Sequence, residues 1–555
     1  MKHTPIVANA IPNGLYFCSL AALRKLPVIL PILVLALTGS ARAQQTWDPG
    51  LTTTSSFGSG TWDTTTPEWA SGGSDAVWAS GIATFAGTQS GTATVTLGAP
   101  ITATALNFNT SGYDLVASAT DTLTVTGSTT LAANVTAEID GPGFSLHGGT
   151  LNTGSTLTLT GGGALTSALV SSGTLDITSG ILTDNANNIA GTVNLTGTGE
   201  ISGGLNTYNA TTTNINLASN SSTAISLSSG SLNLGRGGST STINLISGII
   251  STSGSNLIKV GNGDNSSVNG TINVEGGAIN ATSSGSGIII DGVSANSGSA
   301  NTGTGLLSLS SGTVNTNAIW FGNNTSLPVT LNNAGNAALT VTGGSLFIGS
   351  GGIVSNVTGQ TQAINLSGGT IGASANWTSS MAMKLVTGTN GNVTFQLANN
   401  GTAFNIGLTG VLSGAGGLKI SAPTQGGTLT LGATNTYTGN TEVEGNAQVT
   451  LTVNTALAAL STLTLDAAGV GGTVFDGTAN LNYTGIDFIA GLTIDGVNLA
   501  PGIYGAGSSG VDGDLTGTGF LDVGNVAVPE PGTWALLLGG LGLLVFVRRL
   551  RRHNA

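Results

Sequence analysis

Between Gln44 and Ala527 the chain alternates: Val, Ile or Leu at one position, then Thr, Ser or Asn at the next. Period two marks a strand with one buried face, whereas a helix repeats its apolar positions every three or four residues. Helix-period stretches occur only at the two ends, so the body is predicted to be all-β. A small unit recurs along it: an apolar-x-apolar triplet, a Gly/Ser pair, then another apolar residue. Leu157-Thr158-Leu159 precedes Gly161-Gly162-Gly163, and Leu175-Asp176-Ile177 precedes Ser179-Gly180-Ile181. The triplet returns at Val193–Leu195, Ile225–Leu227, Ile243–Leu245, Ile272–Val274, Leu307–Leu309, Leu339–Val341 and Ile364–Leu366. Starts are about 18 residues apart in the most regular stretch and roughly 25 to 35 elsewhere, periods that belong to solenoids.

The architecture this predicts is a right-handed parallel β-helix, a β-solenoid. Each coil would turn its aliphatic face into a narrow core and its Thr/Ser/Asn face outward, with glycines at the corners where φ > 0 is required. One coil cannot bury its own apolar face; its neighbours must do so. At about 4.8 Å and about 20 residues per coil, some 400 residues would make a rod on the order of 100 Å long. A β-sandwich array is disfavoured because no regular 100-residue period is visible.

The two ends break the pattern. Lys2, His3, Arg24 and Lys25 precede the apolar run Leu26 to Leu37, which is followed by a small-x-small site at Ala41 and Ala43. That is the layout of a secretory signal peptide, cleaved by signal peptidase after Ala43. At the other end, Val528-Pro529-Glu530-Pro531 is followed by an apolar run from Thr533 to Val547 and then by Arg548, Arg549, Arg551 and Arg552. A helix over that run would be about 22 Å long. This is short for a ~30 Å hydrocarbon core, so the arginines would have to snorkel or the bilayer thin. They would mark the cytoplasmic side, leaving everything before Val528 outside.

Charge and composition narrow the partners. Only Arg236, Lys259, Lys384 and Lys419 are basic between Gln44 and Ala527, against 23 acids, a formal charge of −19. Charged residues are 6% of the whole chain, against about 25% in ordinary globular proteins. A body without a basic patch argues against nucleic acid as partner. The one cysteine, Cys18, lies in the segment expected to be removed, leaving no disulfide or thiol chemistry.

Little remains for catalysis. Acid pairs on one strand face are Glu138/Asp140, Glu442/Glu444 and Asp512/Asp514, and none is joined by a third acid, a His or an Arg in the same segment. His147 lies in a glycine-rich turn. Lys259 with Asp264 is the nearest approach to a lyase base beside acids. Nucleophile elbow, phosphate loop, paired-Cys zinc site and HExxH are missing. The expectation is no catalysis, no cofactor and no metal; a β-helix polysaccharide lyase or glycosidase is the alternative. Trp47, Trp62, Trp69 and Trp78 stand in Asp/Thr-rich turns, expected as an aromatic cap over the first coil, with sugar stacking as the functional alternative.

Two resemblances add to this. The ordered series of Val528–Pro531, apolar run and arginines resembles the PEP-CTERM sorting signal of Gram-negative bacteria. That resemblance implies export, transient anchoring in the inner membrane, removal by an exosortase-type membrane peptidase, and association with exopolysaccharide. Leu412 to Ile420, Gly427 to Gly439 and Thr441-Glu442-Val443 resemble one autotransporter-associated β-strand repeat, which reads Gly-Thr-Leu-x-Leu, Ala-x-Asn-x-Tyr-x-Gly, Thr-x-Val. Here Ser421 to Gln425 is inserted, Asn440 replaces a second Gly, and Asn446-Ala447-Gln448 replaces Gly-Thr-Leu. The stretches Leu492 to Tyr504 and Thr516 to Val523 resemble those that close such solenoids, and no room follows Val523 for the barrel of a true autotransporter. The expected division is therefore signal peptide 1–43, Trp-rich cap and first coils 44–130, irregular repeats 131–410, the autotransporter-like repeat 411–452, closing coils 453–527 and sorting signal 528–555. The predicted product is a non-catalytic surface or extracellular β-solenoid, structural or adhesive in an exopolysaccharide matrix.

Overall fold

The computed structural model describes residues 44–524 apart from 168, 185–188, 208–211, 229, 236–237, 262–267, 292–301, 323–334, 389–390, 467–476 and 512. Both predicted end segments, 1–43 and 528–555, lie outside the described residues. Every element described is a strand, and no helix among the described residues is long and apolar enough to cross a membrane.

The strands form coils. Gly191–Gly197, Glu200–Gly203 and Leu205–Asn206 pair in parallel with Thr212–Ser219, Ile225–Leu227 and Leu232–Leu234, one complete turn later. Those three pair in turn with Thr240–Ser247, Ile249–Thr252 and Leu257–Val260. Each turn here thus contributes three short strands, and the core is a stack of aliphatic rungs. One stack runs Val95, Leu115, Ile139, Leu159, Ile177, Leu195 and Leu217. It continues through Leu245, Val274, Leu309, Val341 and Leu366 to Leu385, and every member is buried.

Most of the triplets read from the sequence lie on this ladder, and Ile225–Leu227 lies on a second one that passes through Ile250, Ile279 and Val314. The twelve steps from Val95 to Leu385 rise roughly 60 Å at about 4.8 Å each. That is less than the 20-residue coil predicts. The cause is coil length: 18 residues separate Leu157 from Leu175, but 35 separate Ile272 from Leu307.

Corners stack as well. Gly141, Gly161 and Gly180 all have positive φ (97°, 79° and 74°). A Cβ on Gly161 would lie 2.7 Å from the Cα of Gly141, and one on Gly180 would run into the backbone of Gly161 and Gly162. These corners need glycine for two reasons, the left-handed backbone and the close approach of the next coil.

On the outward face, one position carries a column of polar side chains in register: Asp176, Asn194, Asn216, Asn244 and Asn273. Asn194 donates to Asp176 at 2.7 Å, Asn216 to Asn194 at 2.8 Å, Asn244 to Asn216 at 2.9 Å and Asn273 to Asn244 at 2.9 Å. Each amide has one acceptor oxygen and two donor hydrogens, so a column with one repeat per strand spacing satisfies itself. The Asp176 carboxylate terminates it.

At the first coils Trp47, Trp62, Trp69 and Trp78 form one cluster with Phe85. Ring centroids are 5.2 Å apart for Trp47–Trp69, 4.9 Å for Trp62–Trp69, 4.7 Å for Trp69–Trp78 and 5.7 Å for Trp62–Phe85. Three of the four belong to strands, Gln44–Trp47, Gly60–Trp62 and Trp69–Ser71, so the expectation of turns is corrected for them: strand alternation turns each of these rings inward, where it is buried. At the far end, Ile486–Ile489 pairs in parallel with Phe520–Val523, and Gly502–Gly505 joins the other side of Phe520–Val523 antiparallel.

Candidate functional site

Strand alternation decides which side chains the surface receives. In Tyr113–Val116 the Tyr113 and Leu115 side chains point inward, so Asp114 points out. In Thr136–Asp140 the same rule puts Glu138 and Asp140 outward. Register then sets Asp114 beside Glu138, and Val116 beside Asp140. A groove of about 250 Å³ runs over this place, lined by Thr92, Gly112, Tyr113, Asp114, Thr136, Ala137, Glu138 and Thr158.

Burial, then the charge of Glu138, then that of Asp140, pushes the Asp114 carboxyl up to about 6. Its Oδ1 is shut off from solvent and takes no hydrogen bond. Asp140 accepts the Thr160 hydroxyl at 2.5 Å. A carboxyl whose pKa is raised by burial and by nearby acids is the kind of group that proton donation uses. Among the described residues no group of three or more His, Cys, Asp or Glu is placed to hold a metal.

The sequence-predicted residues fall as follows. Glu138/Asp140 do share a face, and Asp114 joins them from the previous coil. Glu442/Glu444 share a face as well, and Lys419 joins them: its Nζ contacts Glu444 and lies 3.9 Å from Glu442. Neither addition is visible within one segment, because each partner lies on a neighbouring coil. The signal was present, since Asp114 and Glu138 each occupy the middle of an apolar-x-apolar triplet, as do Lys419 and, in a looser one, Glu442. Asp514 is 7% exposed, and Asp512 lies outside the described residues.

His147 is exposed after the strand Phe144–Leu146, its Nδ1 3.4 Å from the Thr166 hydroxyl. Lys259 sits in the strand Leu257–Val260, in register with Asn233 and Ile289; Asp264 lies outside the described residues. Trp47, Trp62, Trp69 and Trp78 are 0, 0, 1 and 4% exposed, so none offers a ring face to a sugar.

Within residues 411–452, Asn435 and Tyr437 have structural uses. Asn435 accepts the Leu412 N–H at 2.7 Å and donates to the Ala456 carbonyl at 2.7 Å, tying three successive segments together. Tyr437 is fully buried, its hydroxyl 2.6 Å from that of Thr441.

Val528, Pro529, Glu530, Pro531, Arg548, Arg549, Arg551 and Arg552 lie outside the described residues, as do Ala41 and Ala43. Comparison with known families finds that residues 527–552 match the PEP-CTERM protein-sorting motif. That motif is the mark of an exported protein sorted through its C-terminus by exosortase-type processing. No curated protein and no solved structure matches the chain.

Proposed function

We propose that this chain is a non-catalytic exported β-solenoid, held briefly in the inner membrane by its C-terminal helix and then delivered to the cell surface or the extracellular matrix. The carrying observation is the pairing of a C-terminal sorting motif over 527–552 with a body built from parallel coils. The right-handed sense is supported by the general rule for parallel crossovers. Residues 411–452 act as an autotransporter-like coil whose Asn and Tyr serve packing. Signal peptidase would act after Ala43 and the exosortase-type peptidase near Val528–Pro531, with Arg548, Arg549, Arg551 and Arg552 on the cytoplasmic side.

The role in the matrix is structural or adhesive. A long outward face of Thr, Ser and Asn offers many weak hydrogen bonds to an exopolysaccharide, and multiplicity makes weak contacts effective. The test is the intact mass of protein taken from culture fluid and from the matrix. A mass lacking both 1–43 and the C-terminal segment supports the reading; retention of the final arginines in released protein ends it.

A second reading, a carbohydrate-active enzyme, is favoured by one observation: the raised Asp114 carboxyl beside Glu138 in an open groove. A pair of carboxyls on either side of the scissile bond is what glycoside hydrolysis uses. Turnover of an acidic polysaccharide that disappears in Asp114→Asn would establish it. Binding without turnover in the parent protein would remove it.

A further inference from the structure

We infer that the outer face of the terminal three-stranded sheet rests on the lipid surface while the precursor is anchored. This rests on the membrane-anchored precursor proposed above. The inner face of that sheet packs on the solenoid through Asp487, Ile489, Leu521 and Val523, all buried. Register puts Ile486 beside Phe520 and Gly505, and Phe488 beside Asp522 and Ile503, on the opposite face. There Phe488 is 47% exposed, Phe520 45% and Ile503 55%. The Phe520 ring lies over Gly505, which has no side chain to cover it.

Asp522, in the same row, is only 9% exposed and has its own interaction, so its charge is not offered to the surface. Three large apolar side chains gathered on one small sheet face mark an interaction surface more than chance exposure does.

Continuity of the chain chooses the occupant. Phe520–Val523 is the central strand of this sheet, and Thr533, where the apolar run begins, is nine residues beyond Gly524. Nine residues reach at most roughly 30 Å. With the run in a bilayer, the sheet is the part of the body held nearest the headgroups. Phenylalanine and aliphatic side chains settle into the headgroup–acyl boundary. The face carries no Lys or Arg, so attraction to anionic lipid plays no part; a zwitterionic surface suffices.

The experiment uses the full chain with Cys18→Ser, reconstituted in phosphatidylcholine vesicles, with single spin labels at Ile503→Cys, Phe520→Cys, Gly540→Cys and Thr61→Cys. The label at 540 reports the anchor and that at 61 reports water. Expected is that labels at 503 and 520, like that at 540, are several-fold better relaxed by oxygen than by a water-soluble nickel chelate. Phe488→Glu should return label 503 to the behaviour of label 61. If 503 and 520 behave as 61 while 540 is immersed, docking is overturned and the anchor stands. If 540 also behaves as 61, the anchor itself fails and takes docking with it. Spin–spin broadening between labels at 503 of separate chains would overturn docking in favour of a second copy.

Discussion

Asn194 donates its side-chain amide to the carboxylate of Asp176 one coil earlier, at 2.7 Å, and so ends a column of four asparagines on a charged acceptor. Hydrogen bonds in such a chain polarise one another, and a carboxylate accepts more strongly than a neutral amide. The column ties five successive coils along one outward face. Replacing Asn216 by Ala removes two hydrogen bonds of the column and leaves Asn194 and Asn244 each short of a partner. A loss of about 1–3 kcal/mol is expected, read as a lowered thermal midpoint, with Thr158→Ala on the same column of positions as a milder control.

The buried tryptophans predict stability effects without binding effects. Trp69 touches Trp47, Trp62, Trp78 and Phe85. Trp69→Ala should cost about 3–5 kcal/mol and loosen the first coils, measured by denaturation. Polysaccharide added to the parent protein should leave the emission of these four rings unchanged.

Gly161→Ala meets both a positive φ and the adjacent Gly141 backbone. The φ alone costs about 1–2 kcal/mol, and the clash adds to it. Soluble yield and thermal midpoint should both fall well below those of Gly254→Ala, a control that also has positive φ but open space around it.

Asp487 gives a signed pH dependence. It is 2% exposed on the inner face of the terminal sheet, and burial, partly offset by the Leu457 and Phe488 N–H groups, pushes its carboxyl up to about 7. Its unfolded value is lower, near 3.8. The folded state therefore binds the extra proton, and this contribution is full below about pH 4, falls through the interval and is lost above about pH 7. Within that window the slope is at most about 1.4 kcal/mol per unit. Asp487→Asn should flatten this part of the thermal midpoint between pH 4 and 7, leaving a smaller slope up to about pH 6 from Asp114. An unchanged profile would contradict the assignment.

Sorting predicts an all-or-none effect on processing. Glu530→Ala or Pro531→Ala should leave an uncleaved, membrane-bound precursor, seen as full C-terminal mass in the membrane fraction and loss of released protein. Normal release from the variants would count against recognition of Val528–Pro531.

Much of the fold was legible because a solenoid writes its contacts locally. Leu157, Leu175 and Val193 repeat at the coil length, so the residues that stack in space also repeat in sequence. The Trp cluster was legible in place and as packing at the first coils, but three of its four rings stand on strands and not in the expected turns. Asp114 was missed as a neighbour of Glu138 because 24 residues separate them and only register makes them adjacent.

Period-two alternation, the near absence of charge and the motif at the C-terminal end follow from residue order alone, because each depends on neighbours within a few positions. They determine a parallel β body and an exported, sorted chain. The tertiary structure decided which polar residues meet across coils: Asp114 with Glu138, Lys419 with Glu444, Asn194 with Asp176. Coil lengths vary from 18 residues to more than 35, so the partner of an outward side chain is set by where the previous turn closes, a sum of corner and loop geometries that no single segment contains.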